Sequence, residues 1–325
     1  MPLPEKALIS QIRRTVSRST SGRSSRRAIT IGIGDDSAVL RVRAGCDTLI
    51  TTDLTLEGVH FRRDWHPADS VGHRCVARGL SDIAAMGGEP VAVFLSLALP
   101  REVPQSWVER FARSLIRVAQ EYGATLAGGD IAESLAGIVA DIVVIGTVPA
   151  GKAILRSGAR PGDRIFISGQ LGGSTAAVLK MSAGGRLNPL DYRRHFYPDP
   201  RIELGRILRD KGLATAMIDT SDGLSTDLAH ICEESGVGAQ LDASLIPRAR
   251  AGRPAREVDL ALALHGGEDY ELLFTAPPAK RVPRQIRGVT LTQIGEIIRG
   301  RRVSLRNSEG SAHKLEPRGW EHFRG

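Results

Sequence analysis

Strand-like runs alternate with amphipathic helical patterns along this 325-residue chain, and the breaks between them carry aspartates. Runs enriched in β-branched residues predict strands at 28–33, 48–52, 91–99, 138–148, 164–168, 216–219, 239–241, 271–275 and 289–297. Between them, Val71, Cys75, Leu80 and Ile83 share one helical face behind the N-cap candidate Asp69. Trp107, Phe111, Leu115 and Val118 repeat at three- and four-residue spacing, and helical patterns also cover 175–181, 202–208 and 224–232. Such interleaving predicts an α/β (mixed α+β) class. A chain of this length suits about two domains. The turn signals Pro149-Ala150-Gly151-Lys152 and Arg160-Pro161-Gly162-Asp163 put the boundary near 148, giving domains 1–148 and 149–325, and 184–200 reads as a loop or partly ordered insertion.

Bulk composition narrows the function classes. The net charge is 44 basic minus 36 acidic residues, or +8, concentrated in an Arg/Ser-rich run over 13–27 and again over 299–306. No aromatics interleave these arginines to stack bases, so a solvated loop or an anionic small-molecule substrate explains the sign better than a nucleic acid. Cys46, Cys75 and Cys232 form no CxxC pair, which argues against a zinc site or disulfide framework and for a reducing, cytoplasmic setting. The N-terminus lacks an apolar signal region, and the apolar stretch 135–148 is interrupted by Asp141 and too short for a bilayer.

Seven aspartates lie in Gly/Ser/Thr-rich breaks. Asp35 and Asp36 follow a strand in Gly-Ile-Gly-Asp-Asp-Ser, where two adjacent carboxylates repel unless a cation or water relieves them; an exposed acidic turn is the plain alternative. Thr51-Thr52-Asp53 ends the next strand, as a hard-cation site or a simple cap. Asp82 sits among apolar helical neighbours in Leu80-Ser81-Asp82-Ile83-Ala84, which predicts a buried carboxylate needing a partner. Gly128-Gly129-Asp130 reads either as a close backbone approach to an anion or as a plain turn. Asp219-Thr220-Ser221-Asp222-Gly223 joins a strand to a helix start, where amides can hold phosphate and Ser221 or Asp222 can act as N-cap. Gly266-Gly267-Glu268-Asp269-Tyr270-Glu271 brings three acids before a strand. Taken alone, His60 reads as structural and Arg156 as a surface residue. Hard cations want oxygen ligands, and Mg²⁺ typically takes one or two carboxylates while phosphate oxygens and water complete its shell. Several metals around a polyphosphate is the expectation. No Gly-x-x-x-x-Gly-Lys-Ser/Thr loop, Gly-x-Gly-x-x-Gly or kinase catalytic-loop motif occurs, so any ATP would be handled through metals and carboxylates.

In order, Gly-Ile-Gly-Asp-Asp, Thr-Thr-Asp-x-x-x-x-Gly-x-His-Phe, Leu-Ser-Asp-Ile-Ala-Ala-Met-Gly, Gly-Gly-Asp, Asp-x-Ser-Asp-Gly-Leu and Gly-Gly-Glu-Asp-Tyr-Glu-Leu resemble the thiamine-monophosphate kinase family of the aminoimidazole-ribonucleotide-synthetase-like superfamily. The resemblance runs from about residue 31 to the C-terminus. It implies ATP-dependent phosphorylation of thiamine monophosphate, several Mg²⁺ ions and a homodimer formed through the N-terminal domain. It also implies that Asp36, Thr51, Thr52, Asp53, Asp82, Asp130, Asp219 and Asp222 hold magnesium. Gly129, Asp130, Arg156 and Ser221 would then touch ATP, and His60, Glu268 and Trp320 thiamine phosphate. No nucleic-acid or membrane partner is implied. Superfamily relatives working on selenium or cyanide chemistry use a Cys near one terminus, and neither end here carries one.

Overall fold

The computed structural model describes residues 1–19, 28–33 and 37–323. The chain divides into two compact units, residues 1–83 with 88–151, and residues 84–87 with 152–325.

The first unit opens with helix α1 (Glu5–Ser19) and the short pair β1 (Ile29–Ile31) and β2 (Val39–Leu40). Its main sheet comprises β3 (Cys46–Leu56), β4 (Glu89–Leu99), β5 (Thr125–Glu133) and β6 (Val139–Pro149), in the order β3-β6-β4-β5. β6 is antiparallel to β3 and β4, whereas β5 runs parallel to β4. Parallel pairing needs a crossover, and α3 (Gln105–Glu121) supplies it; α2 (Ala68–Ala85) joins β3 to β4. Strand alternation buries Ala140, Ile142, Val144 and Val148 of β6 on the helix-covered face. From α2, Val71, Cys75, Val76, Leu80 and Ile83 are buried there too. Trp107 and Phe111 of α3 stack at 5.3 Å.

Two expectations change in this unit. The arginine-rich N-terminal run is not simply a loop: Arg13, Arg14 and Arg18 lie on α1, whose Leu8 and Ile12, one turn apart, are buried as it packs on α3 and β5. Residues 20–27 lie outside the described residues. Gly128-Gly129-Asp130 lies inside strand β5 rather than in a turn.

In the second unit, β7 (Arg164–Ser168) is followed by α4 (Gly173–Ser182), α5 (Arg193–Phe196), α6 (Ile202–Asp210), β8 (Ala216–Asp219), α7 (Leu224–Ser235) and β9 (Gly238–Asp242). A separate pair, β10 (Arg250–Ala251) and β11 (Arg256–Glu257), precedes α8 (Leu260–His265) and β12 (Leu272–Ala276). The chain continues through β13 (Gln285–Ile286), β14 (Val289–Ile298), β15 (Val303–Arg306) and β16 (Ala312–Lys314). The mixed sheet runs β16-β15-β9-β14-β7-β12-β8, with β13 paired to β14. Helix α7 lays Leu224, Leu228, Ile231 and Cys232 on a core of Ile165, Ile167, Ile218, Leu241, Leu273, Ile294 and Ile297. Full burial of each Leu or Ile contributes roughly 1.5–3 kcal/mol. The 184–200 stretch is a partly ordered loop, as expected, in which the four-residue α5 buries His195 and Phe196.

β8 pairs antiparallel with β12, Asp219 standing opposite Leu272. The pairing continues past both strand ends. Thr220 N–H donates to the Glu271 carbonyl at 2.8 Å, Tyr270 N–H to Thr220 at 3.0 Å, and Glu268 N–H to Ser221 at 2.8 Å. The loops 219–222 and 268–271 are thereby held side by side.

Candidate functional site

In the first unit, β3 and α2 form a ladder of polar rungs. Leu49, Thr51, Asp53 and Thr55 alternate toward the helix. The Thr51 hydroxyl donates to the Asp82 carboxylate. One helical turn away, Arg78 donates to Asp53 Oδ1 through Nε at 3.2 Å and Nη2 at 3.0 Å. Asp82 is half-buried rather than buried, because it sits at the sheet-facing edge of α2 with Thr51 as its partner. By alternation Thr52 is exposed on the opposite face, so its hydroxyl does not join the Thr51–Asp82 pair. His60 closes a local turn, its Nδ1 accepting from Leu56 N–H at 3.0 Å.

On β5, Gly129 has φ +149°, and a Cβ there would meet the Leu95 carbonyl oxygen at 1.9 Å. Only glycine lets the two strands come so close. Asp130 follows it, exposed, with Oδ1 accepting from Ile131 N–H at 2.9 Å. Beside this edge lies a cavity of about 520 Å³, lined by Ile9, Ile12, Phe94, Leu126, Gly129 and Asp130 among others. Asp36 lies outside the described residues.

The second unit places its candidates around the start of α7. Asp219 is buried at the end of β8, while Ser221 and Asp222 are half-buried. The N-cap is Gly223, at φ 115°, and not Ser221 or Asp222. Asp227, which sequence reasoning passed over, stands buried in the first turn of α7 and accepts from Gly223 N–H at 3.0 Å. Burial and the charges of Asp219 and Asp222 push its carboxyl well above the usual range. An acid among apolar helical neighbours was the available signal, the same one that marks Asp82.

The C-terminal segment docks on this loop. Gly319 N–H donates to the Thr226 hydroxyl at 3.0 Å, and Trp320 N–H to the Asp222 carbonyl at 3.0 Å. Trp320 is 55% exposed, its ring beside the His322 ring with centroids 5.6 Å apart, on a segment whose backbone docks at Asp222. Glu268 joins the group through Ser221. Arg156 is exposed, and its carbonyl accepts from the Ser235 hydroxyl at 3.2 Å.

Behind the loops lies a buried charge network also missed in the sequence. Glu271 is 1% exposed and receives Arg201 through Nε at 2.8 Å and Nη2 at 2.6 Å, Arg194 at 3.1 Å, and the Ser168 hydroxyl. Asp269 accepts from Gly172 N–H at 2.6 Å and Ser174 N–H at 3.3 Å. Burial, with a smaller push from Glu271, raises its carboxyl to about 7 against the backbone donors and Arg194.

The oxygen donors of Thr51, Asp53, Asp82, Asp130, Asp219 and Asp222 suit a hard cation in kind. Among the described residues no three His, Cys, Asp or Glu side chains are grouped closely enough to hold one between them. Phosphate oxygens and water would have to complete any shell. Cys75 and Cys232 are buried and pushed up to about 12 by that burial, which leaves them poor nucleophiles.

Comparison with known proteins agrees with this architecture. The AIR synthase related protein N-terminal domain matches residues 34–148, and the corresponding C-terminal domain matches 160–307. Thiamine-monophosphate kinase of Escherichia coli K12 is 38% identical over 93% of this chain and 94% of its own length. The crystal structure of thiamine-monophosphate kinase from Stenotrophomonas maltophilia K279a is 34% identical, with a TM-score of 0.80 over 96% of this chain and 99% of that one. AaThiL complexed with AMPPCP and TMP is 32% identical, with a TM-score of 0.76 over 99% of this chain and 97% of that one. Identity at this level over almost the full length of both chains decides the family: this chain belongs to the thiamine-monophosphate kinases, within the AIR synthase related proteins.

Proposed function

We propose that this protein transfers the γ-phosphoryl group of ATP to thiamine monophosphate, yielding thiamine diphosphate and ADP. The observation that carries the reading is its 38% identity to the Escherichia coli thiamine-monophosphate kinase across 94% of that enzyme. The likeness to AaThiL, whose complex holds AMPPCP and TMP together, supports the same pair of ligands.

The chemistry asks for alignment and charge neutralisation more than for covalent help. The acceptor is itself a phosphate, already anionic at neutral pH, so no strong general base is needed. Bringing two anions together is the obstacle; like unit charges 4 Å apart repel by about 4 kcal/mol at an effective dielectric of 20. Magnesium, if bound, would supply that neutralisation. In this reading Asp36, Thr51, Asp53, Asp82, Asp130, Asp219 and Asp222 hold it, with Thr52 limited by the direction of its side chain. Thr51 orients Asp82 through its hydroxyl, and Arg78 orients Asp53. Gly129, Asp130, Arg156 and Ser221 meet ATP; His60, Glu268 and Trp320 meet thiamine phosphate. Residues 1–148 would carry the metal, ATP and dimer functions, and 149–325 would complete the ATP and substrate site.

The outward face of the β3-β6-β4-β5 sheet supports a homodimer. Ile50 is 67% and Leu54 50% exposed there, beside half-buried Phe94, Val143 and Ile145. Ile50→Asp with Leu54→Asp should yield monomers in sedimentation; a wild type that already sediments as a monomer contradicts the pairing. No helix among the described residues is long and apolar enough to cross a membrane.

Incubation with γ-³²P-labelled ATP, Mg²⁺ and thiamine monophosphate tests the proposal. Label should appear in thiamine diphosphate and not on the protein. A labelled phosphoprotein that chases into product would replace direct transfer with a two-step route.

A further inference from the structure

Two residues in the 266–271 loop hold backbone conformations that side chains rarely adopt: Glu268 at φ 63° and Tyr270 at φ 51°. Neither is glycine, so something outside their own preferences keeps them left-handed. Asp269 lies between them with 7% of its surface exposed. Its carboxylate reaches away from the loop to the start of α4, accepting from Gly172 N–H at 2.6 Å and Ser174 N–H at 3.3 Å. Gly172 is the N-cap of α4 and has no side chain with which to cap it. Asp269 therefore satisfies helix donors from 97 residues away in sequence. Glu271, two residues on, points inward as well, into Arg201 and Arg194. On the other edge, the amides of Glu268 and Tyr270 bond to Ser221 and Thr220. The loop is pinned on both sides at alternate residues, and half-buried Glu268 lies beside Ser221, whose carbonyl accepts from its N–H.

We infer that Asp269 is a positioning residue for Glu268, holding the 268–270 backbone in its left-handed form so that the Glu268 carboxylate faces thiamine phosphate. This rests on the proposed kinase reaction and on Glu268 contacting the substrate. Asp269 itself touches neither reactant.

A double-mutant cycle between Asp269→Ala and Glu268→Ala tests it, reading KM for thiamine monophosphate and for ATP separately, with thermal melts of each variant. Asp269→Ala should raise the thiamine monophosphate KM about tenfold and the ATP KM no more than about twofold, in free-energy terms where each tenfold step is a fixed increment. If Asp269 acts through Glu268, the double variant should be no worse than the more impaired single variant, because the two effects share one interaction. Multiplying effects, or an unchanged thiamine monophosphate KM in Asp269→Ala, overturn the inference. Should Asp269→Ala fail to fold, Asp269→Asn, which keeps an acceptor for one amide, enters the same cycle with the same two outcomes. A wild type that makes no thiamine diphosphate overturns the kinase reading instead, and the inference with it; the two failures differ in the wild-type arm.

Discussion

The Thr51 hydroxyl donates to the Asp82 carboxylate, tying β3 to α2, the helix that follows it in the chain. Asp82 is thereby aimed by a hydroxyl donor, and Asp53 by the guanidinium of Arg78. Asp82→Ala should lower kcat by at least about 100-fold, near 2.7 kcal/mol of barrier, with melting temperature little changed. Thr51→Val, which removes one proposed oxygen ligand and releases the Asp82 carboxylate, should cost at least about tenfold. Steady-state kinetics with circular dichroism melts will check both; normal turnover in Asp82→Ala excludes its metal role.

Gly129→Ala should damage the fold before it damages chemistry. The new methyl would lie 1.9 Å from the Leu95 carbonyl, at a backbone angle side chains rarely take. A loss of at least about 2 kcal/mol in unfolding free energy is expected. Urea titration measures it, and an unchanged midpoint would mean β4 and β5 can separate at no cost.

Trp320→Ala should raise the thiamine monophosphate KM more than the ATP KM, because its side chain is exposed while its backbone does the docking at Asp222. The reverse pattern in steady-state kinetics would place the ring at the nucleotide.

Asp269 makes a pH prediction. Its carboxyl is raised from 3.8 to about 7 in the folded chain by burial, with Glu271 adding to the rise and Arg194 opposing it. Between those values the folded state keeps a proton that the unfolded state has released. Stability from this group is therefore lost as pH rises from about 4 to about 7, and levels off above. Asp269→Asn cannot titrate. The melting temperature of the wild type relative to Asp269→Asn should fall across that window; a constant difference would mean that the carboxyl ionises normally.

The fold was largely legible because apolar periodicity survives in sequence. Trp107, Phe111, Leu115 and Val118 repeat at helical spacing, and the β-branched apolar run over 138–148 forms β6. Gly128-Gly129 was harder: paired glycines signal a turn, and here they serve a close strand approach that depends on Leu95, more than thirty residues away in sequence. Helix α1 hid behind its arginines, although Leu8 and Ile12 carried the spacing. At the site, the aspartate-bearing breaks were visible as candidates. Which carboxylate meets Arg78, which meets Thr51, and that Asp269 turns inward to the amides of Gly172 and Ser174 are outcomes of packing between segments distant in the chain. The left-handed backbone at Glu268 and Tyr270 has no local sequence signal at all.

The most direct test is a parallel assay of ADP and thiamine diphosphate from ATP and thiamine monophosphate, with Mg²⁺ and with a chelator. The two products should form one to one, and both should vanish on chelation. ADP accumulating without thiamine diphosphate, or equal turnover without divalent ions, would contradict phosphoryl transfer between two anions joined by carboxylate-held magnesium.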